Sequence, residues 1–337
     1  MSRSGQIIRR FARGAAMLAC AGLLAAAPVH VACASSTPVA DREAGAGGAA
    51  STPPSAPAGA PPRDGASSAT SGEARPHAQR GHGPMPTVIL THGELTDGSV
   101  WRRVLPLLRR AGVPAVAVQL PLNSMWADVA VVQRALARMK GPVVLVGHSW
   151  GGVVITEAGV DPKVAALVYV AGVAPDVGQS FIDRIRSGPL APGVRQLRTD
   201  SSGFVSLAGD AFATDFAQDL HPADTSLLAE TQAPVFGKVF EERVNNAAWK
   251  TLPVWYVAAG ADRMLDPALQ EAEAGRIRAR FVSSRHASHA APLSQPNLVA
   301  SVILEAVAAV RGGAGEGHDG PAEAQQQLPP PAASQQK

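Results

Sequence analysis

Cysteine is almost missing from this chain. Its 337 residues contain two, Cys20 and Cys33, both ahead of position 35. The remainder therefore has no thiol, no disulfide and no cysteine-based metal site, which suits an oxidising compartment. A surplus of positive charge is missing too, once the start of the chain is set aside. Arg3, Arg9, Arg10 and Arg13 contribute four charges, with no acid among residues 1–34, so removing them takes the formal +3 to −1. No basic patch is left to argue for nucleic acid. His77, His82, His221 and His318 stand isolated in the sequence. No metal constellation is visible and no cofactor is expected.

Long apolar runs are also lacking. The one at the start, GAAMLACAGLLAAA from Gly14 to Ala27, is interrupted by Pro28 and His30, short of the roughly 20 residues a membrane-spanning helix needs. Arginines, then an apolar run, then the small-x-small pattern Ala32-Cys33-Ala34 give the order of a secretory signal peptide over 1–34. The expected destination is the periplasm or the medium, with no stable membrane span. Arg9-Arg10 would suit a twin-arginine signal, although Arg13 sits where such a signal prefers an apolar residue. Cys33 could carry a lipid anchor, although His30 is a poor residue three positions before it. Residues 35–84 are dominated by Ala, Gly, Ser, Pro and Thr and read as a flexible linker, and 312–337 read as a tail of the same kind. One domain is left, 85–311, of ordinary single-domain size, and no internal repeat is apparent.

What that domain does contain is alternation. Apolar stretches TVIL (87–90), PAVAVQL (114–120), VVLV (143–146), AALVYV (165–170), PVWYVAA (253–259) and RARFVSS (278–284) read as strands. Helical patterns separate them: SVWRRVLPLLRRAG, Ser124 to Met139 with Trp126, Val129, Val132, Leu136 and Met139 on one face, VVITEAG, a helix from Pro267, and a last one from Pro296 to Val310. Strands apolar throughout and divided by helices predict a parallel sheet covered on both faces, an α/β domain. The interval from Val173 to Lys250 breaks the pattern. Aromatics make up only 4% of the chain, yet six of its eight phenylalanines (Phe181, Phe204, Phe212, Phe216, Phe236 and Phe240) lie there. They could form a cap over an apolar pocket, pack the insertion onto the sheet, or do both.

Between a strand and a helix stands Gly147-His148-Ser149-Trp150-Gly151, a G-x-S-x-G string. The string alone is weak evidence, but this position is where a nucleophile elbow belongs. A sharp strand-to-helix turn strains the serine and needs neighbours without side chains, so that strand and helix can approach. The hydroxyl then projects at a helix N-terminus, where backbone N–H groups can stabilise an anion. Such a serine needs a base held by a carboxylate. Two histidines, His286 and His289, fall in the loop SSRHASHAAPLSQP after the last strand, and spacing alone does not separate them. For the acid, Asp266 stands before Pro267 at a capping position. Asp262, directly after PVWYVAA, is preferred, with Asp176 as a fallback at another strand end. In the turn His92-Gly93-Glu94 after TVIL, the backbone N–H of Glu94 pairs naturally with that of Trp150 as an oxyanion hole. The Glu94 side chain is expected to face away or to meet an arginine.

The segments THGELTDGSVWRRVLPLLRRAG, GPVVLVGHSWGGVVITEAG, LVYVAGVAPD, WKTLPVWYVAAGADRMLDP and SHAAPLSQP resemble the small α/β-hydrolases related to plant methyl esterases and hydroxynitrile lyases, bacterial members above all. The resemblance spans 85–311 and implies the α/β-hydrolase fold, a mostly parallel sheet with helices on both faces and a cap insertion at about 173–250. It also implies His289 as the base, with Ser149 as nucleophile and Asp262 as acid. Trp150 and Glu94 depart from the tyrosine and the small residue common at those places. The lyases' extra lysine and threonine map to Ala290 and Gly93, so cyanohydrin cleavage is not expected. The expected activity is hydrolysis of small, largely apolar esters through an acyl-enzyme. Rivals on the same fold are a cofactor-free perhydrolase or haloperoxidase, an amidase, and a non-catalytic receptor.

Overall fold

A computed structural model describes residues 84–313. The signal peptide, nearly all of the linker and nearly all of the tail read from the sequence lie outside the described residues. Among the described residues nine strands follow in chain order: β1 (Thr87–Thr91), β2 (Ala115–Ala117), β3 (Val143–His148), β4 (Val164–Val170), β5 (Leu197–Thr199), β6 (Phe204–Leu207), β7 (Val235–Phe236), β8 (Val254–Ala259) and β9 (Arg280–Ser284). The main helices are α1 (Leu105–Arg110), α2 (Met125–Ala137), α3 (Trp150–Ala158), α4 (Phe181–Ile185), α5 (Pro222–Glu230), α6 (Pro267–Arg276) and α7 (Pro296–Arg311).

Six strands form one sheet in the order β2-β1-β3-β4-β8-β9, and every neighbouring pair is parallel. Leu145 of β3, for example, stands between Ile89 of β1 and Leu167 of β4. The four inner strands are buried almost throughout, whereas β2 and β9 at the edges are partly exposed. Such burial explains the unbroken Val/Leu/Ile runs: strands covered on both faces have no polar side to show. Helices α2 and α3 pack on each other, as do α1 and α7, and all but the short α1 lie against inner strands. Because the strands run one way, their C-terminal ends share one edge of the sheet, where α/β folds place their sites. The loops leaving β1, β3, β8 and β9 at that edge carry Glu94, Ser149, Asp262 and His289 in turn.

Two of the helices differ from the sequence reading in more than their end points. The pattern SVWRRVLPLLRRAG is divided into a 3-10 turn, Gly98–Trp101, and α1, which begins at Leu105. Pro106 lacks an N–H and would collide with a preceding turn of helix, so it is tolerated only in the first turn. Helix α2 opens as read, with Ser124 Oγ accepting the Trp126 N–H at 3.2 Å. Its buried face, however, runs through Met125, Val129, Val132 and Leu136, and Trp126 is 44% exposed. One residue of phase moves the tryptophan off the core.

Between β4 and β8 the chain builds a three-stranded antiparallel sheet of its own, β5-β6-β7, which the sequence reading did not contain. Its rings have separate tasks. Phe204 and Phe236 pair within the small sheet at 5.4 Å, while Phe181 and Phe240 pack edge-on against Trp150 at 5.9 and 5.6 Å. The insertion is tied down at several points. Phe236 N–H donates to Leu122 C=O at 2.8 Å. Arg102 and Arg103 meet Asp224 of α5 at 2.6 and 2.8 Å. The buried Glu157 of α3 accepts the Asn245 and Asn246 N–H groups at 2.7 and 2.9 Å.

Candidate active site

The turn from β3 to α3 is as tight as the glycine spacing predicts. Ser149 sits at φ 51, ψ −117, a conformation L residues rarely adopt. A Cβ on Gly151 would stand 2.5 Å from Thr91 O, and one on Gly152 would stand 2.6 Å from Val173 O. Helix α3 can lie this close to the end of β1 and to the loop after β4 only because those positions lack side chains. The strained residue is fixed by bonds on both sides: its N–H donates to Val170 C=O at 3.1 Å and its C=O accepts the Gly152 N–H at 2.9 Å.

Ser149 Oγ lies 2.9 Å from His289 Nε2, and His289 Nδ1 lies 2.7 Å from Asp262 Oδ2. All three side chains are buried. A carboxylate facing Nδ1 keeps the imidazole proton there and leaves Nε2 to accept the serine hydroxyl. Burial pulls the His289 pKa down, but the charge and hydrogen bond of Asp262, followed by the charge of Glu94, outweigh it, and the net shift is upward from 6.5. The acid is held in turn. Asp262 Oδ1 accepts the Met264 and Leu265 N–H groups at 2.8 and 2.9 Å, and Oδ2 accepts Gln270 Nε2–H at 2.8 Å. Gln270, fully buried on α6, also donates to Leu265 C=O and accepts the Ala259 N–H, each at 2.9 Å. It ties the end of β8 to the carboxylate.

The other candidate residues take separate places. His286 is exposed, three residues before the buried His289. Asp266 caps α6 by accepting the Ala268 N–H at 2.9 Å. Asp176 pairs with Lys250 at 2.5 Å, and the Lys250 hydrogen bond lowers its pKa. Sequence reasoning missed further supports of the histidine loop. Phe216, from the insertion, packs edge-on against His289 at 5.0 Å, and its C=O accepts the Ala290 N–H at 3.1 Å. Asp219 accepts the Ser288 N–H at 2.9 Å. His148 is held neutral by burial and then by the nearby His289, its pKa well below 6.5, so Nε2–H donates to His289 C=O at 2.8 Å.

On the opposite side of Ser149 lies the turn after β1. A Cβ on Gly93 would come 2.8 Å from Ser149 Cβ, so only glycine lets this turn approach the elbow. His92, whose pKa is lowered chiefly by burial, accepts the Leu120 N–H on Nε2 at 2.9 Å. The remaining ring proton therefore sits on Nδ1, which donates to Gly93 C=O at 2.7 Å, and Thr96 Oγ1–H donates to the same carbonyl at 3.2 Å. Pinning that carbonyl fixes the trans Gly93–Glu94 peptide, whose N–H must point the opposite way. Leu95, the next residue, has φ 61, a second strained position beside the elbow.

The Glu94 side chain departs from expectation. It neither faces away nor meets an arginine: Oε2 accepts the Trp150 N–H at 3.1 Å. This N–H is the first of α3, an unsatisfied donor at the positive end of a helix, and a carboxylate within reach is drawn to it. The Trp150 indole is fixed as well, with Nε1–H donating to Asp128 Oδ2 at 2.8 Å. Beyond Glu94 a pocket of about 930 Å³, counting its open mouth, is lined mainly by Leu95, Phe181, Ile182, Phe240, Leu265 and Leu269. Among the described residues no three His, Cys, Asp or Glu side chains converge as metal ligands, and no helix is long and apolar enough to cross a membrane.

Residues 88–302 match the model of the alpha/beta hydrolase family, and the chain belongs to it. Among its relatives, the probable hydrolase R7 of a Phoma species is 26% identical over 245 residues, covering 65% of this chain and 97% of that protein. The crystal structure of polyneuridine aldehyde esterase aligns with a TM-score of 0.59 at 20% identity, over 66% of this chain and 99% of that one. A pyrethroid hydrolase from Sphingobium faniae JZ-2 aligns at 0.57 and 24%, over 66% and 98%. The fold named from the motifs is the fold observed, and the family makes the protein a hydrolase.

Proposed function

We propose that this hydrolase cleaves small carboxylic esters with Ser149 as nucleophile, His289 as base and Asp262 as the group that orients it. The observation that carries this is the unbroken path Ser149 Oγ–His289–Asp262, at 2.9 and 2.7 Å, starting from a serine in strained backbone. In the proposed reaction His289 Nε2 takes the hydroxyl proton as Oγ attacks the ester carbonyl. Negative charge gathers on the carbonyl oxygen, which the backbone N–H groups of Trp150 and Glu94 receive. Collapse expels the alcohol, which takes the proton from His289. Water then attacks the acyl-enzyme with His289 again as base, releasing the acid and restoring Ser149. Asp262 stabilises the imidazolium without being protonated. The apolar pocket, which is not lined by Ser149 itself but reaches the site through Glu94 on the Trp150 N–H, supports a largely apolar acyl or alcohol group, and an esterase and a pyrethroid hydrolase share the fold. Export through the segment 1–34 is part of the same proposal, checked by the N-terminal residue of the protein recovered outside the cytoplasm.

The test is a series of p-nitrophenyl esters of increasing acyl length, assayed with the wild type and Ser149→Ala. Saturable hydrolysis that Ser149→Ala abolishes is the expected result. A folded wild type no faster than its Ser149→Ala variant on every ester would contradict it. One observation favours a second reading, a ligand-binding receptor without turnover: the Glu94 carboxylate stands on the Trp150 N–H. Ligand binding that survives Ser149→Ala, with no hydrolysis by the wild type, would select that reading.

A further inference from the structure

The Glu94 side chain has no task in the reaction proposed above, and in the resting site it holds the bond that an oxyanion needs, Trp150 N–H to Oε2 at 3.1 Å. Among the described residues no lysine, arginine or histidine forms a salt bridge with it. Glu94 also lines the apolar pocket. Two other charged residues line that pocket. Asp266 is committed to capping α6, and Arg186 is exposed, where water and salt screen it.

We propose that Glu94 selects esters carrying a positive charge near the ester group, such as an ammonium, and that it does so by giving up the anion position only to them. The inference rests on the serine-ester reading and adds its substrate class. As Ser149 attacks, charge develops on the carbonyl oxygen at the Trp150 N–H, and a carboxylate there opposes it. The carboxylate can yield by turning into the pocket, but a bare anion among leucine and phenylalanine side chains is costly. A cation brought in by the substrate removes that cost and draws the carboxylate off the N–H. Binding the charged group and opening the anion position thus become one event. An uncharged ester receives no such help, and an anionic one is repelled by Glu94 before it reacts. Discrimination of this kind comes as much from the penalty on the wrong ligand as from attraction to the right one.

The test uses matched pairs with similar ester reactivity. Butyrylthiocholine is compared with 3,3-dimethylbutyl thiobutyrate, which places a cation or its uncharged isostere on the leaving half. The p-nitrophenyl esters of 4-trimethylammoniobutyrate and 5,5-dimethylhexanoate do the same for the acyl half. Wild type, Glu94→Gln and Glu94→Ala are assayed, with thermal melts to confirm folding. In the wild type, kcat/KM should favour the cationic member of at least one pair by about tenfold or more, and both variants should lose that preference, chiefly by gaining on the neutral ester. Equal rates within both pairs, a preference that survives both substitutions, or a parallel gain on both members would overturn the proposal. So would failure to turn over either cationic ester in a protein whose Ser149 reacts with a fluorophosphonate. Absence of both turnover and labelling would instead break the serine-hydrolase reading on which the proposal rests.

Discussion

The two sides of Ser149 are built differently. On the histidine side every polar group of the path is satisfied: Asp262 accepts from His289, Gln270, Met264 and Leu265, all between 2.7 and 2.9 Å, in a buried setting. On the Glu94 side one 3.1 Å bond joins the Trp150 N–H to a half-buried carboxylate that also lines an apolar pocket. Over-determined polar networks hold geometry at a strained residue. A single bond to a flexible side chain can be exchanged for a ligand. Positioning on the histidine side and recognition on the Glu94 side are the roles proposed above, and substitutions on the two sides should fail differently.

The largest effects belong to the histidine side. Ser149→Ala or His289→Ala should lower kcat by about 10⁴-fold or more with little change in thermal stability, and a double variant should lose no more than either alone. Asp262→Asn should cost roughly 10⁴-fold, since the imidazole would lose its enforced tautomer. Steady-state rates on one p-nitrophenyl ester measure all three. Next comes Gln270→Ala, which removes a donor to Asp262 and leaves the Ala259 N–H without its acceptor. It should reduce kcat roughly ten- to a hundredfold while KM holds, and lower stability by about 1–3 kcal/mol. Denaturant melts alongside kinetics separate the two losses.

Smaller effects follow from titration. His289 must be neutral to act as base, and its pKa lies above 6.5 because Asp262 outweighs burial. Ester hydrolysis should therefore fall as pH drops through that raised value, and Asp262→Asn should move the acid limb to lower pH. The sign for folding is opposite: the stability His289 gains from Asp262 is fully present below 6.5 and is lost as pH rises through the raised value. A pH series of rates and melts checks both. Asp128 gives the smallest change. Burial raises its pKa from 3.8 to about 6, against hydrogen bonds from Trp150 and Leu122. Its contribution to stability is complete below 3.8 and fades as pH rises through about 6. Asp128→Asn should flatten the melting temperature across that window, and an unchanged slope would contradict the assignment.

How legible the protein was in its sequence follows the same division. Strands β1, β3, β4 and β8 were readable because burial on both faces leaves runs of apolar residues with no competing pattern. Ser149 and Asp262 could be singled out because a strained turn and a strand end each leave a mark in residue type, whereas the loop after β9 offered both His286 and His289 and only the family resemblance chose between them. The insertion sheet left none, since strands of two to four residues are too short to show alternation. Trp126 was misplaced because α2 has two apolar residues at its start, Met125 and Trp126, and only packing chooses between them. Gln270 could have been found: it stands beside Leu269 and in phase with Ala274 on the buried face of α6, where an amide needs a partner. The direction of the Glu94 side chain could not. Residue type fixes its charge, but the donor it reaches is a backbone N–H contributed by a strand-helix turn more than fifty residues away.

The central claim is that Ser149 is an activated nucleophile, and covalent labelling by a fluorophosphonate tests it most directly. The protein and its Ser149→Ala and His289→Ala variants are treated alike and analysed by peptide mass. A phosphonyl adduct on the Ser149 peptide of the wild type, missing in the first variant and strongly slowed in the second, is the predicted result. A folded wild type that stays unlabelled, or one labelled equally fast without His289, would contradict the claim.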